Sequence, residues 1–383
     1  MDLVYLDNNA TTRTDPAVVE AMLPFLIENY GNPSSVHRLG QAARAAVDEA
    51  RDRVAKLVGC RDRELTFTGG GTEASNFALR GLFSLRNKNA ERPRVVMTAV
   101  EHAATRETVQ ALTGAEVVEV PVDDDGLVDP VAFAEALDDR TAFATAIWAN
   151  NETGVVIDIA AVAAVCREKN VPFHCDATHA VGKLPVDLSD LGVDTATLAA
   201  HKFHGPKGVG VLYQRRGVRL PALVTGGPQE RDRRGGTENV AGIVGTGVAA
   251  TLAGEHLAAM PRVGELRDEL ERRLIDACGD VRINGSVAHR LPNTTNLGFA
   301  RVQAEAILLM LSEQGVCASA GAACSSGSLE PSHVLTAMRV PEVHAHGSVR
   351  FSLSRLTTRD EIERACAVVP QVVERLGAVM PVA

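Results

Sequence analysis

The 383-residue sequence predicts an α/β fold, with a large domain on a mostly parallel central sheet and a smaller α+β domain packed on it. Two observations indicate this. Short runs rich in β-branched residues alternate with helical periodicity through the first two thirds of the chain. After about residue 255 the pattern changes to a long charged helix followed by shorter strands. We therefore predict a large domain at 13–255 and a small domain made of 1–12 and 256–383.

The first predicted element is a helix over 16–27, in which Asp15 is the N-cap and Pro16 occupies the first turn. The elements predicted after it are a helix at 36–58, then strands at 64–68, 94–98, 116–121, 142–149, 172–176, 195–199 and 208–213, with helices at 103–112, 130–137 and 159–169 between several of them. In the small domain they are a helix at 261–278, strands at 281–283 and 295–299, a helix at 303–314, a strand at 349–353 and a final helix from 359. Ligand sites in such sheets gather at the carboxyl ends of the strands.

Composition and charge narrow the classes of function. The net charge of −9 argues against a general nucleic-acid binder, which needs a basic surface to neutralise phosphates. No run approaches the ~18–20 apolar residues that cross a bilayer, and the first residues lack the pattern of a secretory signal. Seven cysteines occur without a CxxC pair, which favours free thiols in a reducing compartment over a zinc site. We therefore expect a cytoplasmic protein that binds no nucleic acid, membrane or metal.

The segment FTGGGTE at 67–73 predicts a phosphate-binding turn. A strand ends there in three glycines, and a helix begins near Thr72. Glycines let backbone N–H groups approach an anion, and a helix N-terminus adds favourable partial charge. The lysine of a P-loop is absent, so a nucleotide site is not indicated. A plain glycine-rich turn is the alternative interpretation.

Three further loops carry residue types suited to chemistry on an aldehyde cofactor. Lys202 follows a predicted strand in a glycine-rich setting, where desolvation would make its amine a nucleophile for a Schiff base. Asp176 ends a predicted strand and could pair with a protonated pyridine nitrogen. His102 could stack on a flat ring or move protons near neutral pH. Each residue also has a structural interpretation. Lys202 could be a surface lysine, Asp176 a helix N-cap and His102 a histidine that only packs in the fold.

A fifth segment, SAGAACSSG at 319–327, places Cys324 among very small residues. Such a run has no bulky side chains to build a core, so we expect the thiol on a reachable loop. An exposed thiol can form the reactive thiolate. Cysteine is otherwise often a small buried hydrophobe, and we interpret Cys317, in an apolar strand-like stretch, in that way.

Together these motifs resemble the cysteine desulfurases of the NifS/IscS family, in the class V pyridoxal-phosphate enzymes, and the match extends over essentially the whole chain. The NifS-like branch is the most similar. The matching segments are YLDNNATT at 5–12, GNPSSVH at 31–37, GGGTEASN at 69–76, NNETG at 150–154, DATHAVGK at 176–183, HKFHGPKGVG at 201–210, RRGGTENVAGIVG at 233–245 and SAGAACSSGSLEPSHVL at 319–335.

The resemblance implies an aspartate aminotransferase-like fold of type I and a pyridoxal 5'-phosphate cofactor. Lys202 would form the Schiff base, Asp176 would hold the pyridine nitrogen and His102 would stack on the ring. Other positions implied to hold the cofactor are Gly71, Thr72 and His201 at the phosphate, Asn151 and His179 near the ring substituents, and Thr237 reaching the phosphate of a second subunit. A homodimer is therefore part of the prediction.

The resemblance also implies how the substrate binds. Arg350 would pair with the carboxylate of L-cysteine through its planar guanidinium group. Arg355, five residues further on, is the competing candidate, and Asn32 would assist. Cys324 would receive the sulfur as a persulfide, leaving L-alanine, and would deliver it to an acceptor protein such as an iron–sulfur cluster scaffold.

Two positions depart from the family pattern. His179 stands where relatives usually have a glutamine beside the phenolic oxygen of the cofactor, and its proton count depends on pH. We therefore expect a shifted pH dependence of the cofactor absorbance. Ala199 stands where many relatives have a serine that forms a hydrogen bond to the phosphate. The absence of this hydrogen bond would weaken cofactor binding by about 1 kcal/mol or somewhat more.

Other functions remain open on the sequence. An aminotransferase or a selenocysteine lyase of the same fold would share the lysine, the aspartate and the phosphate-binding turn. From a different class, a non-catalytic sulfur-relay or scaffold subunit could keep the fold. Retention of Lys202, Asp176, His102, Arg350 and Cys324 together argues against that last interpretation. The pathway that receives the sulfur stays open.

Overall fold

A computed structural model of the chain describes residues 3–321 and 331–379. The strands in these ranges are β1 (Val4–Tyr5), β2 (Leu65–Thr68), β3 (Arg94–Thr98), β4 (Glu116–Val120), β5 (Thr141–Ile147), β6 (Phe173–Asp176), β7 (Thr195–Ala199), β8 (Gly210–Gln214), β9 (Val281–Ile283), β10 (Thr294–Phe299), β11 (Val316–Cys317) and β12 (Ser348–Ser352).

The α-helices in the same ranges are α1 (Pro16–Met22), α2 (Pro24–Ile27), α3 (Arg38–Leu57), α4 (Gly71–Arg86), α5 (Ala103–Gln110), α6 (Pro130–Ala136), α7 (Ile159–Glu168), α8 (Leu188–Leu191), α9 (Gln229–Asp232), α10 (Val240–His256), α11 (Met260–Cys278), α12 (Ala304–Glu313), α13 (His333–Ala337), α14 (Glu342–Ala345) and α15 (Arg359–Val379). Short 3-10 turns lie between some of them.

The central sheet has seven strands in the order β2-β8-β7-β6-β5-β3-β4. In this order, each adjacent pair of strands between β7 and β4 is parallel. Strand β8 is antiparallel to both of its neighbours, β7 and β2. All residues of β5, β6 and β7 are buried, as expected for central strands covered by helices on both faces. The predicted α/β class with a mostly parallel sheet is confirmed.

A second hydrophobic cluster joins the start of the chain to its last third. Leu6, Leu270, Phe351 and Val369 are fully buried in it. Strand β1 pairs in parallel with β11, and β10 pairs antiparallel with both β9 and β12. The beginning of the chain is therefore fixed against strands more than 300 residues away, which brings residues 7–10 beside the end of the central sheet.

The first helix is shorter than predicted. The expected helix over 16–27 is two helices, because α1 ends at Met22 and α2 begins at Pro24. Proline lacks the N–H that a continuous helix would use at this position, and its ring disfavours the helical conformation of the residue before it. Asp15 accepts a hydrogen bond from the Ala17 N–H, as predicted for an N-cap.

Helix α10 was not among the predicted elements. It is apolar around most of its surface and rich in glycine, so it lacks the one-sided pattern of a surface helix. The glycines are needed for close packing, since a Cβ on Gly247 would lie 2.6 Å from Ala50 Cα of α3. A Cβ on Gly245 would meet Met22 and Val18 of α1 in the same way.

The helical stretch Val240–Cys278, which contains α10 and α11, is long and apolar enough by composition to cross a membrane. Half of its most apolar window is buried inside the fold, and a core helix satisfies the same criterion. Its composition alone therefore does not indicate a membrane span.

Candidate active site

The predicted site residues lie where loops leave the carboxyl ends of neighbouring parallel strands. His102 follows β3, Asn151 follows β5, Asp176 ends β6 and Lys202 follows β7. Two adjoining cavities of about 380 and 200 Å³ open at this edge, and His102, His179 and Lys202 line both of them. Strand order thus brings together residues that are up to 100 positions apart in the sequence.

The smaller cavity has the features of an anion site. It is lined by the start of α4 at Gly71 and Thr72, and by Ala199 and His201. Among the described residues, no side chain caps the N-terminus of α4, so this helix end could bind an anionic group. A Cβ on Gly71 would lie 3.3 Å from the Ala199 Cβ, so larger side chains here would fill the cavity.

His201 is also part of this wall. Its Nδ1 lies 3.2 Å from the Thr11 hydroxyl. Burial and the charge of Lys202 lower its pKa to about 4. His201 is therefore neutral at physiological pH and would contribute a hydrogen bond to an anion, with no positive charge of its own.

Lys202 ends a 3-10 turn that begins at Ala200, directly after β7. Its Nζ donates to the carbonyl oxygens of Asn9 at 2.6 Å and Ala10 at 2.9 Å. The loop after β1 therefore holds the amine at the junction of the two cavities. Asn9 itself is fixed by a hydrogen bond from its side-chain amide to the Thr294 hydroxyl at 2.9 Å.

Asp176 is 4% exposed and lines the smaller cavity. Its Oδ1 accepts a hydrogen bond from the Thr178 N–H at 3.0 Å, in a turn that does not continue into a helix. The helix N-cap considered from the sequence is therefore wrong. This bond fixes the carboxylate rotamer at the end of β6.

His102 caps the N-terminus of α5, because its Nδ1 accepts from the Ala104 N–H at 3.1 Å. Burial lowers the pKa of this imidazole, although the negative charge of Asp176 opposes the shift. The neutral ring then carries its proton on Nε2, as assigned from the hydrogen bond to Nδ1. The structural and functional interpretations of His102 are therefore compatible, since only Nδ1 is used by the cap.

His179 is 3% exposed, and its Nδ1 has no hydrogen-bond partner among the described residues. A buried ring nitrogen in a cavity wall that lacks a hydrogen-bond partner could form a hydrogen bond with a hydroxyl group of a ligand. Burial holds the pKa of His179 well below 6.5, and the positive charges of Lys202 and Lys183 add to the shift. A lowered pKa favours the uncharged ring near neutral pH, and the shifted pH dependence of the cofactor absorbance stays a prediction.

The larger cavity contains the buried guanidinium group of Arg350, which is 1% exposed. Its Nη2 lies 2.6 Å from Asp7 Oδ1, and its Nη1 donates to the carbonyl oxygens of Asn151 at 2.9 Å and Gly321 at 3.3 Å. Arg355 instead pairs with Asp15 at 2.5 Å and lines neither cavity. The geometry therefore favours Arg350 over Arg355 for a substrate carboxylate.

Two predicted residues within the described ranges are not brought into these cavities. Asn32 is exposed, and its side chain accepts from the Ser34 N–H at 2.9 Å. Thr237 is exposed beside a separate depression lined by Gly69 and Arg234. Cys324 lies outside the described residues.

Several residues lining the larger cavity were not predicted, and Glu101 is the most unusual of them. It is fully buried, and its Oε1 accepts from the Thr98 hydroxyl at 2.5 Å and the Ile147 N–H at 2.8 Å. Its Oε2 has no partner among the described residues. Burial raises the pKa of Glu101 to about 8. Its position next to His102 was the available signal, but burial cannot be seen in the sequence.

Comparisons with known proteins identify the family and the fold of the chain. The model of the aminotransferase class-V family matches residues 4–365. A cysteine desulfurase of Trichormus azollae is 47% identical over 384 residues, covering 100% of this chain and 95% of the relative. A solved NifS-like protein superposes with a TM-score of 0.92 at 35% identity, covering 98% of this chain and 100% of the other. A structure described as SspA in complex with cysteine has a TM-score of 0.81 at 31% identity, covering 92% and 99%.

These matches confirm the resemblance predicted from the motifs, and they extend over the whole length of the chain. The family model covers far more than half of the sequence, and the curated relative is similar from end to end. The chain belongs to the class-V aminotransferase family, among its cysteine desulfurases.

Proposed function

We propose that this protein converts L-cysteine to L-alanine with pyridoxal 5'-phosphate and transfers the sulfur to Cys324 as a persulfide. The observation that carries the proposal is the pair of adjoining cavities, which place Lys202 between an anion site and the buried guanidinium group of Arg350. A relative of similar fold is described in complex with cysteine, which supports the same substrate here.

The residues of the smaller cavity fit the cofactor. The start of α4 and His201 suit its phosphate, Asp176 suits its ring nitrogen, and the orphaned Nδ1 of His179 suits its phenolic oxygen. Thr72 would add a hydroxyl at the phosphate, and Asn151 would lie near the ring substituents. When bound, pyridoxal phosphate supplies an aldehyde that links to an amine and a ring that accepts an electron pair from Cα.

The residues of the larger cavity would orient cysteine for this chemistry. Arg350 would bind the substrate carboxylate, and the Lys202 amine, beside the substrate Cα, would accept its proton. His102 would donate from Nε2 while its Nδ1 remains on the Ala104 N–H. Asn32 stays a proposed substrate contact without a place in the described cavities.

Cys324 is proposed to attack the substrate sulfur as a thiolate, so that an S–S bond forms and the substrate Cβ–S bond breaks. The electron pair of the broken bond would stay with the substrate carbon, which takes up a proton to become the methyl group of alanine. Residues Gly321 and His333, which flank the segment that contains Cys324, both line the larger cavity. The described residues on both sides of this segment therefore belong to the proposed substrate site. The persulfide would pass to an acceptor such as an iron–sulfur scaffold.

A homodimer is also part of the proposal. The segment with α2 exposes large apolar side chains at Leu26, Ile27, Tyr30 and Val36, a concentration expected of an interface. Helix α1, just before it, packs on α10, and α10 begins three residues after Thr237. A second subunit covering this face would meet exposed Thr237, which is proposed to reach the partner's phosphate site.

The test is to record the visible spectrum of the purified protein and to assay alanine and sulfide from L-cysteine with dithiothreitol. A yellow protein that forms both products supports the proposal. A yellow protein that forms no sulfide from cysteine, but transfers an amino group to a keto acid or prefers selenocysteine, would favour the two alternatives within the fold. A colourless, inactive protein that binds no pyridoxal phosphate would favour a non-catalytic sulfur-relay subunit.

Replacing Arg350 by lysine is expected to raise the KM for L-cysteine about 10- to 100-fold, because one charge-assisted hydrogen bond of about 1.5–3 kcal/mol is lost. Lysine keeps a positive charge beside Asp7, which limits damage to the fold. Steady-state kinetics would measure the change. Arg355→Lys is the matched control and should leave KM within about twofold; a larger rise for Arg355→Lys than for Arg350→Lys would reverse the assignment.

Replacing Ala199 by serine is expected to tighten binding of pyridoxal phosphate about fivefold or more, since one added hydrogen bond to a charged group is worth about 1 kcal/mol or somewhat more. Ala199 is 2% exposed and faces Gly71 across the anion site. The dissociation constant can be measured by adding the cofactor to cofactor-free protein. Ala199→Val adds volume without a donor and should bind more weakly than the parent, and a serine variant no better than the parent would contradict the prediction.

A further inference from the structure

A second lysine amine lies buried behind Lys202. Lys183 is 8% exposed, and its Nζ donates to two carbonyl oxygens, those of His179 and Lys202, each at 3.3 Å. No carboxylate of the described residues forms an ion pair with it. A buried amine without a carboxylate partner is costly, so its place in the fold calls for a reason beyond stability.

The two carbonyl contacts join the two turns that carry the cofactor-facing groups. His179 lies on the turn after β6, and Lys202 lies on the turn after β7. The turns also pack closely, because a Cβ on Gly182 would lie only 2.8 Å from the Phe203 Cβ. Lys183 thus bridges two turns that also pack closely against each other.

We propose that Lys183 is a positioning residue for Lys202, whose amine ties the His179 turn to the Lys202 turn and places a second positive charge behind the reacting amine. The inference rests on the proposed function of Lys202. Lys183 does not line the two cavities of the candidate site, but it shares a small cavity of about 30 Å³ with Lys202. It therefore acts through Lys202 and not on the substrate.

The charges around this small cavity are mostly basic. Besides the two lysines, it is lined by His204 from the turn after β7, His256 from the end of α10 and Arg355 from the loop after β12. Arg355 is paired with Asp15, which cancels its charge. The pKa of His204 is lowered to about 4, mainly by burial, so that ring is neutral near pH 7.

Lys183 therefore has Lys202 as its principal charged neighbour across this cavity. Burial and the charge of Lys202 lower the pKa of Lys183 to about 7. The interaction is reciprocal, so a charged Lys183 disfavours a proton on the Lys202 nitrogen. While Lys183 carries its proton, this repulsion favours the uncharged form of the Lys202 nitrogen, which a nucleophile or base requires.

The test uses Lys183→Gln and Lys183→Met in the full-length protein loaded with pyridoxal phosphate. Glutamine keeps a donor for the two carbonyl groups but removes the charge, whereas methionine removes both. The readout is the visible absorbance of the bound cofactor as a function of pH. In both variants we expect its midpoint to rise by about one pH unit, because removal of a like charge favours the protonated nitrogen.

A second readout separates positioning from charge in cofactor-free protein. We expect pyridoxal phosphate to react with Lys202 at pH 7 several-fold more slowly in Lys183→Met than in Lys183→Gln, because only glutamine keeps the two turns tied. Lys169→Met is the control, since Lys169 is exposed at the end of α7, at the opposite edge of the sheet. It should reproduce the parent in both measurements.

An unchanged absorbance midpoint in both Lys183 variants, with only a lower melting temperature, would overturn the proposal and leave Lys183 a packing residue. Equal reaction rates of Lys183→Met and Lys183→Gln would overturn the tie between the turns. A parent protein that never becomes yellow with pyridoxal phosphate would instead refute the proposed function itself. The two failures are therefore distinguishable.

Discussion

Replacement of Lys202 by alanine is expected to lower alanine formation from L-cysteine by at least about 10²- to 10⁴-fold, the contribution of a positioned proton-transfer group. The variant should also lose the yellow colour of the parent, because no amine remains at the junction of the two cavities to link to the cofactor aldehyde. Product assays and the visible spectrum measure both effects.

The loss of activity in Lys202→Ala should result from removal of the amine and not from damage to the fold. Lys202 Nζ is held by the carbonyl oxygens of Asn9 and Ala10, so its removal leaves two acceptors without this donor and is expected to lower the melting temperature. Added methylamine or another small primary amine should partly restore alanine formation by replacing the missing group. Lys169→Ala, at the opposite edge of the sheet, should retain parental activity. A Lys202→Ala variant that stays yellow and active would refute the assignment.

Replacement of Cys324 by alanine is expected to reduce alanine release by at least about 10²-fold, since no other group is proposed to take the sulfur. The parental absorbance should persist, because the phosphate site, Asp176 and Lys202 are unchanged. Addition of L-cysteine should still alter the spectrum, which shows that the substrate binds and stops before sulfur transfer.

The matched control is Cys317→Ala. Cys317 lies in β11, where burial raises the pKa of its thiol and disfavours the thiolate. This variant should keep most of the activity. Mass spectrometry of the parent after L-cysteine should find one extra sulfur atom on the peptide with Cys324 and none on the peptide with Cys317. Rapid alanine release by Cys324→Ala would exclude the persulfide step.

The glycine turn, the strand–helix alternation and the candidate positions of Lys202, Asp176 and His102 could be predicted from the sequence because each depends on local properties. Three glycines at the start of a helix favour an anion-binding turn, and Pro16 after Asp15 indicates a helix start. The break at Pro24 was also available locally, but the apolar periodicity over 16–27 masked it. Helix α10 was missed because apolar residues and glycines lie on most of its surface, so no polar face marks its period.

The surroundings of Arg350 and Arg355 are one example of what the tertiary structure decided. The two arginines are five residues apart and chemically identical, and only the fold places one beside Asn151 and the other on Asp15. The pKa of His179 is a second example, because burial and the charges of neighbouring lysines lower it, and neither can be seen in the sequence.

The sequence by itself determined the family, the residue types of the reaction and the order of the main elements, since those follow from local patterns. The tertiary structure decided which groups share a cavity, which are uncharged and which are tied together, as with Lys183 between the turns of His179 and Lys202. The physical reason is that burial and long-range contacts set the energy of a charge, and both arise only when distant segments pack.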